Sequence, residues 1–379
     1  MARTKPSAAP AATPHSLGYR MPAEWEPHAA TWLAWPHNHT DWPGKFDAIP
    51  WVFADIIRHL VRVEDVNLIV ASAREKQTAR DVLKRSHVDL KRVKFHIWPT
   101  NRIWTRDSGP IFVKNQQGIA LTNWRFNAWA KYPDWKHDNQ LPDRITKKLK
   151  FQQFTPVIER NGKPYHVVLE GGSIDVNGQG LMLTTEECLL SKVQQRNPGL
   201  TQQDLEKVFA GYLGVEKVIW LGCGIVGDDT HGHVDDISRF VAPDTVLTVV
   251  EPSHSDANYE PLQENLRRLR AATDLQGRRL RIVELPLPRP VIFRGQRLPA
   301  SYANFYIANG LVLVPTFNDP NDRIALNILA GLFPQHEMVG IHCGDFIWGL
   351  GAIHCMTQQQ PDAQHRKTKL PGYEHPGSH

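Results

Sequence analysis

One unit recurs along this chain, and it constrains the fold more than any single motif does. Each copy opens on a polar cluster and continues as strand, tight turn, strand, helix and closing strand. In the first copy Trp104-Thr105-Arg106-Asp107 leads into Ile111-Phe112-Val113, a turn at Gln117-Gly118 and a strand from Ile119 to Trp124. The second starts at Glu170-Gly171-Gly172, with a strand from Ser173 to Val176, the hairpin signal Asn177-Gly178 and the return Leu181-Met182-Leu183. Thr201 can cap its helix, on which Leu205, Val208, Phe209 and Leu213 share one face, and Val218 to Leu221 closes it. The third runs from His233-Val234-Asp235 through Ile237 to Val241, Pro243-Asp244, Val246 to Val250, a helix near Glu260 to Ala272, and Leu280 to Leu285. The fourth runs from Ser301-Tyr302-Ala303-Asn304 through Phe305 to Ala308, Asn309-Gly310, Leu311 to Val314, a helix from Asp322 to Leu332, and Met338 to Ile341.

The fifth copy is split between the two ends of the chain. Cys355 is expected on a short strand, with Ala30 to Trp35 as its partner, Trp51 to Val63 as the helix and Val66 to Val70 as the closing strand. Closing a ring with the chain's own ends is a device of propellers. The unit starts at Asp107, Glu170, His233, Asn304 and Cys355 would then face one axis and converge on one pocket. The predicted fold is α/β, a five-bladed propeller of pseudo-fivefold ββαβ-type repeats. A doubly wound sheet has the same strand and helix content and is the rival. The expected boundaries are a disordered leader over 1–18, a single catalytic domain over 19–361 and a disordered tail over 362–379.

The net charge of +5 is spread out, and no basic stripe is interleaved with aromatics, so nucleic acid is not an expected partner. No apolar run is long enough to cross a bilayer, and none resembles a secretory signal, so no membrane partner is expected. The four cysteines form no Cys-x-x-Cys pair, which argues against a zinc ribbon or a disulfide framework and for a reducing, cytoplasmic setting. Glycine-rich nucleotide loops are missing, so no cofactor is expected. The expected partner is a small molecule; a homodimer is compatible with the sequence.

Cys355 follows Gly349-Leu350-Gly351-Ala352-Ile353-His354, and Gly351 would let a substrate approach the backbone closely. A thiolate there would be a nucleophile; a lone cysteine can also be a buried structural residue. On a strand, His233 and Asp235 would share one side, where a histidine shuttles protons and a carboxylate holds a cation. His231-x-His233 as a metal pair is the rival, but no third ligand stands at metal spacing, and no metal is expected. A carboxylate takes a guanidinium side-on with two parallel hydrogen bonds. Asp107 and Asp235 would therefore form a clamp that leaves the guanidinium carbon open to Cys355. Glu170 would order the pocket or bind an N–H group, and Trp104 and Asn304 would line it. A papain-like order, with cysteine before histidine, is reversed here.

The chain resembles the agmatine deiminase branch of the guanidino-group-modifying enzymes. The matching runs are Met21-Pro22-Ala23-Glu24-Trp25-Glu26-Pro27-His28, Trp104 to Pro110, Phe126-Asn127-Ala128-Trp129, Leu169 to Ser173, Gly232-His233-Val234-Asp235, Ser301 to Tyr306 and Ile353 to Gln359. They span about residues 20 to 361 and keep their order. The resemblance implies the pentein propeller, Cys355 as nucleophile, His233 as acid and base, and Asp107 with Asp235 as paired aspartates. It implies hydrolysis of agmatine to N-carbamoylputrescine and ammonia, a step in putrescine synthesis, with Asp229 facing the amine end. Peptidyl-arginine or free arginine is the alternative substrate, and a non-catalytic binding propeller the alternative role. The chain departs from the family's usual glycines and asparagine at Leu350 and Ala352, which add bulk beside the nucleophile. His231 and Asp236 also differ from the usual residues.

Overall fold

The computed structural model describes residues 12–160 and 162–363. Five of its sheets share one order: an antiparallel hairpin whose second strand pairs in parallel with a third. The first joins Ile111–Lys114, Ile119–Thr122 and Gln152–Phe154, with helix Leu141–Leu149 between the last two. The second joins Asp175–Val176, Leu181–Thr185 and Lys217–Leu221, with helix Gln202–Leu213. Ser238–Ala242, Thr245–Val250 and Arg281–Pro286 form the third, with helix Tyr259–Ala271. Tyr306–Ala308, Leu311–Thr316 and Glu337–His342 form the fourth, with helix Pro320–Leu332.

The fifth sheet is sewn from both ends of the chain. Gln358–Pro361 pairs antiparallel with His28–Ala34, Trp32 opposite Gln358 and Ala30 opposite Gln360. His28–Ala34 then pairs in parallel with Asp65–Val70 after helix Ile49–Leu60. Helix Ala73–Arg85 and a fourth strand, Val93–Ile97, extend this sheet beyond the repeat. The protein is thus mixed α/β, and among the described residues no sheet closes into a barrel. The doubly wound alternative fails because the parallel pairs sit in separate small sheets instead of one continuous sheet.

Local chemistry explains the ends of the elements. Thr201 accepts from the Asp204 N–H while the Asp204 carboxylate accepts from the Thr201 N–H, a reciprocal cap where the sequence places one. Asp319 and Asp322 do the same for the fourth helix, which therefore starts at Pro320, ahead of the expected Asp322. The central strands are buried on both faces, as in Leu311–Thr316, and read as continuous apolar runs.

Three expectations need correction. Cys355 lies in a turn before the strand Gln358–Pro361, because the glycines ahead of it supply no strand pairing. His233 caps a 3-10 turn, Val234–Asp236, and the strand begins only at Ser238. In the second unit Gly171–Ser173 is likewise a 3-10 turn, so the strand shortens to Asp175–Val176. The expected leader and tail fall mostly outside the described residues. Of the described part, His15–Leu17 forms a 3-10 turn, and Tyr19 N–H donates back to the Pro14 carbonyl at 3.0 Å.

The polar clusters all occupy the turns that precede the first strand of a unit, and hydrogen bonds join each unit to the next, from turn to turn except at the second, where the end of strand Leu181–Thr185 makes the link. Gly172 N–H donates to Asp107 Oδ1 at 3.0 Å, and Thr185 Oγ1 to the Gly232 carbonyl at 2.5 Å. Ser301 Oγ donates to the Asp236 carbonyl at 2.7 Å, and His354 N–H to Asn304 Oδ1 at 3.0 Å. Arg106 N–H returns the chain of contacts to the Cys355 carbonyl at 3.2 Å.

Candidate active site

Asp107, Glu170, His233, Asp235, Asn304 and Cys355 all lie on these turns, each exposed by 5% or less. Bringing three acids and a histidine into one dry volume is electrostatically expensive, and the neighbours of each group decide its charge. Asp107 Oδ1 accepts from Gly172 N–H, and Oδ2 accepts from Trp129 Nε1 at 2.9 Å. Burial, aided by Asp235 and Glu170, nevertheless pushes its carboxyl up to about 6. Glu170 is held down to about 2; burial opposes ionisation, but Arg196 donates to Oε1 at 3.1 Å inside the protein. Asp235 is also lowered: burial opposes it, and His354 Nδ1, 2.6 Å from Oδ2, wins.

His233 is fully buried between the carboxylates. Nδ1 stands 3.8 Å from Asp107 Oδ1 and 4.0 Å from Asp235 Oδ1, and Nε2 stands 3.9 Å from Glu170 Oε2. Burial disfavours its cation, but Asp107, Cys188 and Glu170 raise it well above the usual histidine range. Neither ring nitrogen makes a hydrogen bond, and Glu170 Oε2 and Asp235 Oδ1 also lack one. Such orphaned buried atoms mark a site arranged for something other than itself. Gly172 makes the approach possible, since a Cβ there would stand 2.6 Å from His233 Nδ1 and 2.9 Å from Asp107 Oδ1.

Cys355 Sγ is 3.1 Å from Asn304 Nδ2 and 3.9 Å from Asp235 Oδ2. Burial, then Asp235, Asp236 and Asp107, pushes the thiol well above its ordinary range. A resting thiolate–imidazolium pair is therefore not what this arrangement favours. Asp236 is driven up as well, by burial and then by Asp235, and it takes the Asn304 amide at 2.9 Å. Asn304 thus holds the sulfur and the Cys355 backbone N–H instead of lining the cavity as expected.

The cavity above Cys355 has a volume of about 270 Å³, with Trp104, Trp129, Leu350 and Gly351 among its walls. A Cβ on Gly351 would stand 2.8 Å from Trp104 Cζ3 and 3.2 Å from Cys355 Cβ. Leu350 adopts a left-handed φ of 67° to pass this point and turns its bulk to the cavity, whereas Ala352 is buried behind it. At the mouth, Asp229 pairs with Lys131 and accepts from Tyr132 Oη at 2.8 Å. Arg102 pairs there with Asp41. Asp228, its neighbour in the chain, belongs to the loop. Its carboxylate accepts from the N–H groups of Thr230 at 2.7 Å, Gly232 at 2.7 Å and His233 at 3.0 Å.

The His231-x-His233 metal pair does not form. His231, at a left-handed φ of 65°, turns to Glu187, with Nδ1 3.6 Å from Oε1, while His233 points inward. Two buried groups, Glu170-Cys188-His233 and Asp235-Asp236-Cys355, do bring three donor atoms within 4.8 Å. In the first, Arg196 already supplies the positive charge beside Glu170. Sequence reasoning missed Trp129, Arg196, His354 and Glu24. Each reaches the site through a partner distant in the chain, as when His354 Nε2 meets Glu24 Oε2 at 2.7 Å. Glu24, Trp129 and His354 lie inside the runs that carry the family resemblance, which was the available signal; Arg196 lies in none of them.

A mixed α/β fold with Cys355 and Asp107 lining one cavity, and His233 and Asp235 buried beside them, defines a thiol-centred site suited to a small planar cation. The chain belongs to the Porphyromonas-type peptidyl-arginine deiminase family, whose model matches residues 20–361. It is 37% identical to the agmatine deiminase of Pseudomonas aeruginosa, over 93% of this chain and 98% of that one. It is 36% identical to a putative agmatine deiminase of Legionella pneumophila, over 92% and 96%. The solved agmatine deiminase of Enterococcus faecalis superposes with a TM-score of 0.84 at 33% identity, covering 93% of this chain and 98% of that one.

Proposed function

We propose that this protein hydrolyses the guanidinium group of agmatine to N-carbamoylputrescine and ammonia, a step toward putrescine. The observation that carries this reading is the excess of buried carboxylate around the Cys355 sulfur, with Asp235 Oδ1 lacking any donor. A planar cation that brings parallel N–H groups answers both the charge and the missing hydrogen bond. The relatives named as agmatine deiminases support the substrate. The series of hydrogen bonds from each unit to the next supports a five-bladed propeller, with the site on its axis.

Asp107 and Asp235 seat the guanidinium, whose charge offsets the carboxylates that hold Cys355 protonated. The thiol proton then leaves, and the thiolate adds to the guanidinium carbon. The His233 imidazolium gives its proton to one amino group, the C–N bond breaks, and ammonia departs, leaving an S-alkylthiouronium. Neutral His233 takes a proton from water as the hydroxide adds to that carbon. The C–S bond breaks, and the hydroxyl proton returns to the thiolate as the ureido product forms. The proton first lost by the thiol is the one ammonia carries away as ammonium.

The two cations at the mouth, Arg102 and Lys131, are already paired with Asp41 and Asp229, which disfavours a substrate carboxylate. The Lys131 ammonium on Asp229 marks that acid as an ammonium site, which agmatine's amine would take in exchange. All four cysteines are unpaired, and among the described residues no helix is long and apolar enough to cross a membrane; both fit action in the cytoplasm. Incubation with agmatine, arginine and a peptidyl-arginine, followed by a ureido assay, tests the proposal. Turnover of arginine or the peptide as fast as agmatine would overturn the substrate.

A further inference from the structure

Asp235 is unlike its companion Asp107. Both Asp107 oxygens accept from neutral donors, whereas Asp235 is held by a side chain from the turn that carries the nucleophile. His354 Nδ1 lies 2.6 Å from Asp235 Oδ2, and Nε2 lies 2.7 Å from Glu24 Oε2. Both acids are held below the usual carboxylate range; burial opposes this in each, and Arg239 and His354 overcome it at Glu24, as His354 does at Asp235. The ring thus has one carboxylate oxygen at each nitrogen, and it satisfies both acids when both nitrogens donate.

We infer that His354 is a positioning residue for the proposed deimination: it holds Asp235 by Oδ2 and leaves Oδ1 without a donor, free for the substrate. The inference deepens the agmatine reading and rests on it. Its anchor is Glu24, which also takes Ile307 N–H at 2.8 Å and pairs with Arg239 Nη2 at 2.9 Å and Arg106 Nη2 at 3.3 Å. Arg239 Nε in turn donates to Asp175 Oδ2 at 2.6 Å. Acidic and basic side chains therefore alternate from Asp175 through Arg239, Glu24 and His354 to Asp235. Among the described residues, only His354 and the Cys355 thiol hydrogen-bond Asp235, so without the ring its carboxylate is free to rotate.

The test uses H354Q and H354N in the full chain. A Gln side chain can still reach Glu24 but releases Asp235; the Asn amide can still donate toward Asp235 without the charge. The charged and titratable groups around the pair are Glu24, Arg106 and Arg239 on one side, and His233, Asp236, Asp107 and Cys355 on the other. Removing the ring's hydrogen bond lets the Asp235 carboxyl rise, so the acid limb of the kcat/KM profile for agmatine moves to higher pH in H354Q. KM rises about tenfold or more, with a smaller change in kcat and a smaller KM rise in H354N. An unmoved acid limb and KM, or kcat losses that merely follow thermal stability in both variants, would overturn the assignment. Nitrogen-15 NMR of the native protein reads the ring without substrate or a variant: two protonated nitrogens at assay pH support the role, and a neutral ring overturns it. Absence of agmatine turnover in the native protein would instead strike the deiminase reading.

Discussion

Asp107→Asn separates what the site does from what it costs. The wild-type carboxylate accepts from Gly172 N–H and from Trp129 Nε1, one donor on each oxygen. An asparagine amide has one oxygen, so whichever way it turns, its NH2 meets one of these donors. The donor left unpaired costs about 1–3 kcal/mol. Against that, the folded protein no longer holds an ionised Asp107 that burial has pushed up to about 6 from 3.8. That rise is worth about 3 kcal/mol, absent below about pH 3.8 and fully developed above about pH 6, because a raised carboxyl destabilises the fold as it ionises. At pH near 8 the two terms nearly cancel, so D107N should unfold within about 2 kcal/mol of wild type. On acidification to about pH 4 the wild type regains its stability, and the variant becomes the weaker of the two by about 1–3 kcal/mol. Activity has no such compensation. Losing a charged acceptor for the guanidinium in a water-poor site should lower kcat/KM by about a hundredfold or more. Denaturant unfolding at the two pH values, with steady-state agmatine turnover, measures all three numbers. Turnover within about tenfold of wild type, or a stability loss that does not change with pH, would refute the reasoning.

Gly351→Ala should reduce turnover by about a hundredfold at nearly unchanged secondary structure, because its Cβ would press Trp104 against the nucleophile; circular dichroism with kinetics checks it. Arg196→Met should destabilise by about 3–5 kcal/mol near neutral pH by stranding Glu170. Because Glu170 is held at about 2 against 4.5, the difference from wild type should shrink as pH falls from about 4.5 to 2, which acid-titrated unfolding would show. Asp229→Ala should lower the ratio of agmatine to arginine efficiency by about tenfold or more, and an unchanged ratio would remove Asp229 from substrate binding.

The repeated unit was legible because each copy carries its own signals: the Thr201 cap, the Asn309-Gly310 turn, and apolar strands of matching length. Pairing of Val93–Ile97 onto the fifth sheet was not, since nothing local requires a fourth strand there. The residues at the unit starts could be read as a converging set, and the structure does gather Asp107, Glu170, His233, Asp235 and Cys355. What sequence could not supply was their electrostatic company. Asp228 and Asp229 look alike in the chain, yet one ties its own loop and the other pairs across the mouth with Lys131. Nor could spacing show that Cys355 sits among acids that keep it protonated.

Pairing Gln358–Pro361 with His28–Ala34 also sets an order of events during synthesis. The Trp32 indole bonds to Gln360, 328 residues further along, so one half of this sheet waits for nearly the whole chain to leave the ribosome. A chain emerges at about 5–20 residues per second, while local hairpins form in about microseconds. The other four sheets can therefore be in place long before this one is complete. Cys355 arrives within the same final stretch as the closing strand. The growing chain thus acquires Cys355 only as its fifth sheet can form, and no fragment that ends before it holds Asp107, Glu170, His233, Asp235 and Cys355 together.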